Sequence, residues 1–218
     1  MKAFKPKSVN KKADIACFNV AIPNNVENMQ LPSPELLTFY KDLENRILWI
    51  DSEISDYSLE YAKNIMQWNA EDKDKKISDR KPITLLFFSP GGDLNVNNLL
   101  MDTITLSTTP VIGINCGMAA SAGCFIYLSC HQRYTFPNAQ FLIHQGAGEF
   151  SGTYEIVVSA IMNYQREIEN LGKFVLSRTT IPEDVFYENF STDWYLDADE
   201  ALKYGLCSKI ITSLDEII

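Results

Sequence analysis

The sequence predicts an α/β fold around a mostly parallel sheet. The stretch from Ile83 to Phe88 is a nearly continuous apolar run, followed at once by Ser-Pro-Gly-Gly at 89–92 and by a helical pattern. The same order of strand, glycine-containing turn and helix recurs over residues 111–130. Strands that are covered by helices on both faces have such unbroken apolar runs, because neither face meets water.

The size and composition favour one globular domain, or one domain plus an appendage. The chain has 218 residues, of which 46% are hydrophobic, so it can bury a full core. Its five cysteines form no C-x-x-C pair, and three of them fall in apolar segments. This usage indicates reduced core thiols and a cytoplasmic protein rather than a disulfide framework.

The charge balance argues against a general nucleic-acid binder. The formal net charge is −9, whereas nonspecific affinity for nucleic acid requires a basic face. Residues 1–12 carry five lysines and no acid, and a solvated terminus, a docking arm and a nucleic-acid arm all fit this segment. The uncharged stretch between Asp102 and Arg133 is divided by Pro110, Asn115 and glycines, which favours core elements over a membrane span.

The N-terminal part of the chain gives few signals. Turn residues interrupt residues 13–45, and we interpret residues 1–45 as an N-terminal arm. The first strand is predicted at Arg46 to Ile50, and a helix is predicted at Ser55 to Asn69 from the spacing of its apolar residues. The charged run from Glu71 to Arg80 is interpreted as a solvated loop.

The middle of the chain carries the repeated pattern. A helix follows the strand at 83–88, a second strand is predicted at Val111 to Asn115, and a turn of small residues from Cys116 leads to a buried helix over 121–130. The residues of the first helix expected to point inward are Leu94, Val96, Leu99, Leu100 and Ile104. Two short strands, Gln132 to Phe136 and Gln140 to His144, are predicted across the turn at Pro137.

The last third is predicted to be mainly helical. Apolar residues at helical spacing define one long amphipathic helix over Thr153 to Arg178. Capping boxes are predicted at Thr180 to Glu183 and at Asp197 to Glu200, each opening a short helix, and the second helix ends near Gly205. Leu206 to Ile211 is predicted to close the sheet.

Ser121 is the first candidate for a chemical role. It stands at the joint between the second strand and the buried helix, with alanines and glycines around it that leave room for another backbone. The first turn of a helix offers free N–H groups and the positive end of the helix dipole, which favour an oxyanion. Serine is also a common N-cap, so a purely structural role remains open at this point.

Histidine is the natural base for a serine nucleophile, and the sequence contains two. If residues 121–130 are helical, His131 lies about 15 Å from Ser121, too far for a hydrogen bond. His144 ends an apolar strand just before a glycine-rich loop, a place where polar groups are exposed beside a sheet. A histidine that merely closes the strand remains the alternative.

The remaining groups of such a site are less well defined by the residues alone. Asp193, just before a short apolar run, is one plausible acid among 28 Asp and Glu residues for orienting the imidazole. Gly91 and Gly92 follow a strand, and a bare N–H there could complete an anion hole with the N–H of Ala122. An ordinary strand-to-helix turn explains the two glycines equally well.

Four motifs, taken together and in this order, resemble the proteolytic subunit of the Clp protease. They are SPGG at 89–92, GMAASAG at 117–123, PNAQFLIHQ at 137–145 and DWYLDADEALKYGL at 193–206. The likeness runs from about Arg46 to Ile211. An α/β-hydrolase is excluded, because position 119 is alanine and the elbow G-x-S-x-G is therefore absent.

The resemblance implies a crotonase-like spiral of strand–strand–helix units and a serine peptidase. Ser121 would be the nucleophile, His144 the base and Asp193 the orienting acid, with no cofactor and no metal. The backbone N–H groups of the oxyanion hole would come from Gly92 and Ala122. The residues that would bind the substrate backbone are Gly91, Met118 and Gly146.

The resemblance also implies an assembly. Residues 46–218 would form the peptidase domain, the protruding helix 153–178 would be the family's handle, and residues 1–45 would be a divergent arm. Heptameric rings, two of them facing each other through the handles, would enclose the site as a homo-oligomer. Because the chain has no G-x-x-x-x-G-K-[ST] motif, a separate AAA+ unfoldase would deliver polypeptide substrates.

Two other functions remain open beside the ATP-dependent peptidase. One is a catalytically silent partner or scaffold subunit that forms rings without turnover. The other is acyl-CoA chemistry of the crotonase type, which shares the fold but does not need the pair of Ser121 and His144. Neither a membrane nor a nucleic acid is expected as a partner.

Overall fold

The computed structural model describes residues 33–217, so Cys17 and the lysine-rich residues 1–12 lie outside the described part. The helices are α1 (Pro34–Glu44), α2 (Leu59–Asp72), α3 (Leu94–Thr105), α4 (Ala122–Ser129), α5 (Tyr154–Arg178), α6 (Glu183–Asn189) and α7 (Ala198–Lys203). The strands are β1 (Ile47–Ile50), β2 (Ile83–Ser89), β3 (Val111–Ala120), β4 (Gln132–Thr135), β5 (Gln140–Ile143), β6 (Trp194–Leu196) and β7 (Lys209–Ile210).

The strands form one mostly parallel sheet, as predicted. Its main path runs β1-β2-β3-β4-β7, and every neighbouring pair on that path is parallel. β5 also pairs with β3 in parallel, and β6 adds to β5 as the antiparallel member. The carboxyl ends of β2, β3 and β5 therefore meet in one region, where open α/β sheets commonly place ligands.

β3 is longer than the sequence predicted. The expected turn from Cys116 is instead a continuation of the strand to Ala120, with a register shift opposite Phe87 and Phe88. The small residues serve the pairing, because a Cβ on Gly117 would lie 2.7 Å from the Phe88 ring. The small residues that resembled a turn are therefore part of the strand, and at Gly117 the lack of a side chain makes room for the Phe88 ring.

The extra length makes β3 a forked strand. Its residues 112–115 pair with β4, and its residues 118–120 pair with β5. The two strands that the sequence placed across Pro137 exist, but each bonds to a different part of β3. The two strands do not form a hairpin with each other, since both run parallel to β3.

α4 is the centre of the core, and all eight of its residues are buried. Its Tyr127 packs edge-on against Phe87 of β2 and beside Phe141 of β5, with ring centroids 5.4 and 5.2 Å away. The Tyr127 hydroxyl donates to the carbonyl of Tyr134 at 2.9 Å, so the one polar atom of this ring is satisfied. Burial on every side explains why the helix shows no polar face in the sequence.

Two arginines bind the carboxyl end of α4. Arg133 and Arg178 each donate to the Leu128 carbonyl at 2.9 Å, and Arg178 also donates to the Cys130 carbonyl at 2.8 Å. These bonds satisfy carbonyls that the helix leaves free, and they place positive charge at the negative end of its dipole. Because Arg178 ends α5, the two helices are held together at this point.

α5 matches the long helix that the sequence predicted. Its 25 residues follow one another without a break, but its buried residues, Leu171, Gly172 and Val175, all lie in its last third. Apolar side chains before that point are exposed, including Ile156 at 57% and Met162 at 67%. The first half of α5 thus carries apolar surface that this single chain leaves uncovered.

Several smaller expectations were wrong. Ser33 caps α1 through a bond from the Leu36 N–H, although residues 13–45 gave no helix signal that we recognised. Thr180 forms no capping box: the Thr180 N–H donates to the Tyr204 carbonyl, and α6 begins one residue after Pro182. Leu99 is 38% exposed rather than inward-facing.

The second capping box was correct. In α7 the Asp197 side chain accepts from the Glu200 N–H, and Glu200 accepts from the Asp197 N–H in return.

The four cysteines of the described part form no disulfide. Burial raises the pKa of the Cys124 and Cys130 thiols to about 12, which keeps both protonated in the core. Within residues 33–217, no helix combines the length and the apolar composition that a membrane crossing requires.

The charged run from Glu71 to Arg80 begins inside α2, and its Asp72 belongs to a buried ion pair rather than to a solvated loop. Asp72 is fully buried and accepts two hydrogen bonds from Arg46, at 2.5 and 3.1 Å. It also accepts from Lys75 and Thr109. The hydrogen bond from Arg46 holds the pKa of Asp72 well below its usual range, so the carboxylate is charged at neutral pH.

We expect Asp72→Ala to destabilise the fold strongly. It leaves the Arg46 guanidinium, whose side chain is 9% exposed, without its main partner, and loss of one member of a buried pair costs about 3–5 kcal/mol. Glu71→Ala is the matched control, because Glu71 is 48% exposed and lies 3.5 Å from the same arginine, and exposed pairs contribute about 0–1 kcal/mol. Denaturant unfolding measures both, and equal losses would contradict this account.

Candidate active site

The backbone of Ser121 is strained. Ser121 follows β3 directly and has φ 52° and ψ −124°, one of two positive-φ residues other than glycine in the described part of the chain. Its N–H donates to the Leu142 carbonyl at 2.9 Å, and its side chain makes no N-cap bond to α4. Because Ser121 has a strained backbone and its hydroxyl does not cap the helix, we expect the hydroxyl to have another partner.

That partner is His144. The Ser121 Oγ lies 2.8 Å from the His144 Nε2, and the His144 Nδ1 lies 2.8 Å from the Asp193 Oδ1. The structure therefore brings together the three side chains that the sequence proposed as nucleophile, base and acid. The other histidine is engaged elsewhere, since the His131 Nδ1 accepts from the Val111 N–H at 2.9 Å.

Sheet register produces this convergence. β5 pairs with β3 so that Leu142 lies opposite Ala120, which sets Ser121 and His144 just beyond the paired ends. β6 pairs with β5 in the antiparallel sense, with Ile143 opposite Trp194. The residues that follow one strand and precede the other, His144 and Asp193, are then neighbours.

The hydrogen-bond chain favours the imidazole tautomer that a serine nucleophile needs. A carboxylate accepts from the Nδ1–H, which leaves a lone pair on Nε2 to accept the Ser121 proton. The imidazole is one-quarter exposed, whereas the Asp193 side chain is 60% exposed. The arrangement can support nucleophilic catalysis at the Ser121 oxygen.

The Ser-Pro-Gly-Gly loop after β2 packs directly against Ser121. A Cβ on Gly91, which has φ +99°, would lie 2.7 Å from the Ser121 Cβ and 3.0 Å from the Ala122 nitrogen. A Cβ on Gly92, at φ +148°, would lie 2.2 Å from the Ile54 carbonyl oxygen. Both positions thus require glycine for the approach as well as for the backbone conformation.

Two groups that the sequence did not reveal hold this loop. Ile54 donates its N–H to the Gly91 carbonyl at 2.7 Å and accepts from the Asp93 N–H at 2.8 Å. The buried Ser89 hydroxyl donates to the Ser52 carbonyl at 2.6 Å and accepts from the Gly91 N–H at 3.3 Å. The contacts of Ile54 are made by its backbone, which every residue type shares, so no sequence pattern could have predicted them.

Gly92 and Ala122 are suited to an oxyanion hole. Neither N–H makes a hydrogen bond to any residue within 33–217, and Ala122 opens the positive end of α4. Preformed donors of this kind stabilise developing negative charge strongly when water is largely excluded.

A cavity of about 260 Å³ adjoins the Ser121 hydroxyl. Apolar side chains of three helices supply much of its wall, and the loop after His144 supplies another part. Its lining residues are Pro90, Gly92, Leu94, Ser121, Ala122, Phe125, His144, Gln145, Gly146, Ala147, Tyr164, Ile168 and Leu171. Met118 lies on β3 and is absent from this lining, so its proposed contact with substrate stays a prediction.

The family model of the Clp protease matches residues 34–214, a longer stretch than the four motifs span. The chain belongs to the Clp protease family. The ATP-dependent Clp protease proteolytic subunit 2 of Pseudomonas aeruginosa is 33% identical over 185 residues, covering 77% of this chain and 90% of that protein. The corresponding subunit 2 of Treponema pallidum is 32% identical over 185 residues, covering 82% and 88%.

A solved structure agrees with this family assignment. A mutant of ClpP1 from Listeria monocytogenes superposes with a TM-score of 0.69 at 26% identity, covering 82% of this chain and 98% of that one. The predicted crotonase-like α/β fold of the Clp proteolytic subunit is confirmed. In this member of the family, the His144 imidazole lies within hydrogen-bonding distance of both the Ser121 hydroxyl and the Asp193 carboxylate.

We expect Gly91→Ala to destabilise the protein more than Gly205→Ala. Both glycines have positive φ, but the nearest contacts of a Cβ on Gly91 include the Ala120 carbonyl at 2.8 Å, whereas a Cβ on Gly205 would meet the Thr180 Oγ1 at 3.1 Å. Strain at one such backbone position costs about 1–3 kcal/mol, and the Gly91 variant adds the displacement of the chain around Ser121. Denaturant unfolding compares the two, and equal losses would show that the loop can move away.

Proposed function

We propose that this chain is a serine endopeptidase, the proteolytic subunit of an ATP-dependent Clp-type protease that cleaves unfolded polypeptides and short peptides. The observation that carries the proposal is the pair of 2.8 Å contacts that join Ser121 to His144 and His144 to Asp193. Family membership supports a peptidase of this general type. The strained backbone of Ser121 is consistent with selection for reactivity rather than for capping.

In the proposed reaction the Ser121 oxygen bonds to the carbonyl carbon of the scissile peptide while the His144 Nε2 takes its proton. The carbonyl π electrons move onto the oxygen, where the N–H groups of Gly92 and Ala122 stabilise the charge. The tetrahedral species collapses, the C–N bond breaks, and His144 gives the proton to the leaving amine. Water then attacks the acyl carbonyl carbon while His144 takes its proton; the ester C–O bond breaks, and His144 returns the proton to the Ser121 oxygen.

The shape of the site supports an extended peptide as substrate. Gly91 and Gly92 border Ser121, and the loop containing Gly146 lines the same cavity, so backbone is close to the site on both borders. The Gly91 N–H and carbonyl are bonded to Ser89 and Ile54, which leaves Gly92 on that border for main-chain pairing. The cavity beside the hydroxyl is lined by apolar side chains, including Leu94, Phe125 and Leu171. Main-chain pairing would make the enzyme tolerant of many sequences.

The exposed face of α5 supports the proposed assembly. Tyr154, Ile156, Ile161 and Met162 are each at least 47% exposed on the first half of this helix. We propose that these handles join two heptameric rings of the peptidase domain, residues 46–218, into a closed homo-oligomer. The chain has no P-loop of its own, so an AAA+ unfoldase would act with it, in the cytoplasm.

We expect a fluorophosphonate probe to label the wild-type protein and not Ser121→Ala. The probe phosphorylates an activated serine oxygen, and among the serines of residues 33–217 only Ser121 has a histidine base within hydrogen-bonding distance, at 2.8 Å. Ser191→Ala, at an exposed serine, is the matched control and should label like wild type. An assembled wild-type oligomer that takes up no label and hydrolyses no peptide would favour the silent scaffold.

We expect wild type to have the mass of fourteen chains in solution and Met162→Glu to have the mass of seven. Met162 is 67% exposed on the apolar face of α5, and a carboxylate there would be costly to bury between two rings. Met162→Leu keeps the apolar contact and should retain fourteen. Mass photometry reports the result, and an unchanged mass in the glutamate variant would place the ring contact elsewhere.

A further inference from the structure

The loop that carries His144 away from the sheet has little support of its own. Residues 145–152 form no helix or strand, and they include Gly146 at φ +78° and Gly152 at φ +140°. Glycines at these positions add backbone freedom. Besides the contacts with Asp193 and Ser121, the orientation of the imidazole therefore depends on what fixes the first residues of this loop.

Tyr164 on α5 provides that support twice. Its hydroxyl donates to the Gln145 carbonyl at 2.8 Å, and its ring meets the Phe150 ring edge-on at a centroid distance of 5.6 Å. Within the described chain, no other hydrogen bond joins residues 145–152 to a different segment. The bonded carbonyl belongs to the residue directly after His144, so movement there is transmitted to the imidazole within one peptide unit.

The other end of this tether is firmly held. Tyr164, Ile168 and Leu171 share one face of α5 and line the same cavity, and Leu171 is buried in the core. Burial, and then the nearby Glu167, raise the pKa of the Tyr164 phenol, so the hydroxyl remains a donor throughout the neutral range. A rigid helix thus holds an otherwise weakly supported loop.

We propose that Tyr164 is a positioning residue of the peptidase site, whose hydroxyl fixes the Gln145 carbonyl and thereby holds His144 in line with Ser121. This inference rests on the proposed peptidase function. The ring of Tyr164 has a separate task as part of the cavity wall, and the two roles can be separated by substitution. Tyr164→Phe removes only the hydroxyl, whereas Tyr164→Leu also removes the aromatic wall and the Phe150 contact.

The test compares peptide hydrolysis by wild type and the two variants. One lost hydrogen bond should lower kcat about three- to tenfold in Tyr164→Phe, with KM changed less than about twofold because the wall is intact. Tyr164→Leu should lower kcat as much and also raise KM. Tyr187→Phe, at an exposed tyrosine on α6, is the control and should match wild type.

Hydrogen exchange of the loop gives a second readout that needs no catalysis. Amides of residues 145–152 should exchange faster in Tyr164→Phe than in wild type, while those of α4 stay protected. Equal kcat, or an unchanged exchange rate, in Tyr164→Phe would overturn the positioning role. If the loop exchanges faster in Tyr164→Phe but wild type itself hydrolyses no peptide, the tether stands and the proposed peptidase function is refuted.

Discussion

The pairing of β3 with β5 is the constraint on which the rest of the site depends. β3 is long enough to bond to β4 along one part and to β5 along another, and this fork places the end of β5 beside the end of β3. Ser121 even continues the pairing through its N–H bond to the Leu142 carbonyl. A shift of one residue in this register would turn His144 to the opposite face of the sheet.

The packing of α4 makes the strained serine tolerable. A non-glycine residue at φ 52° costs free energy, so the fold must hold it in place through neighbouring contacts. The helix that follows Ser121 is buried along its whole length, its Tyr127 is clamped between two aromatic rings, and two arginines bind its far end. On the other side, the Ser-Pro-Gly-Gly loop is fixed by the backbone of Ile54. The rigid surroundings define where the serine oxygen points.

The part of the fold with strong local signals was predictable from the sequence. The apolar run of β2, the long helix α5 and the capping box at Asp197 were recognised, because each follows from spacing and side-chain type within one segment. The helix α1 was missed even though Ser33 and Pro34 are an N-cap and a first-turn proline, a signal that was available. Asp72 was misread because a charged run resembles solvent-exposed chain until its buried partner is known.

The sequence by itself determined the candidate groups: two histidines, of which helix length excluded one, a serine among small residues, and glycines after a strand. It left open whether Ser121 caps a helix, which acid faces His144, and what supports the loop after it. Only the tertiary structure decided these points, because they depend on which segments are neighbours in the sheet and on the contact of Tyr164 with the loop after His144. Strand register and long-range packing bring distant residues together, and neither is encoded in any single stretch of the sequence.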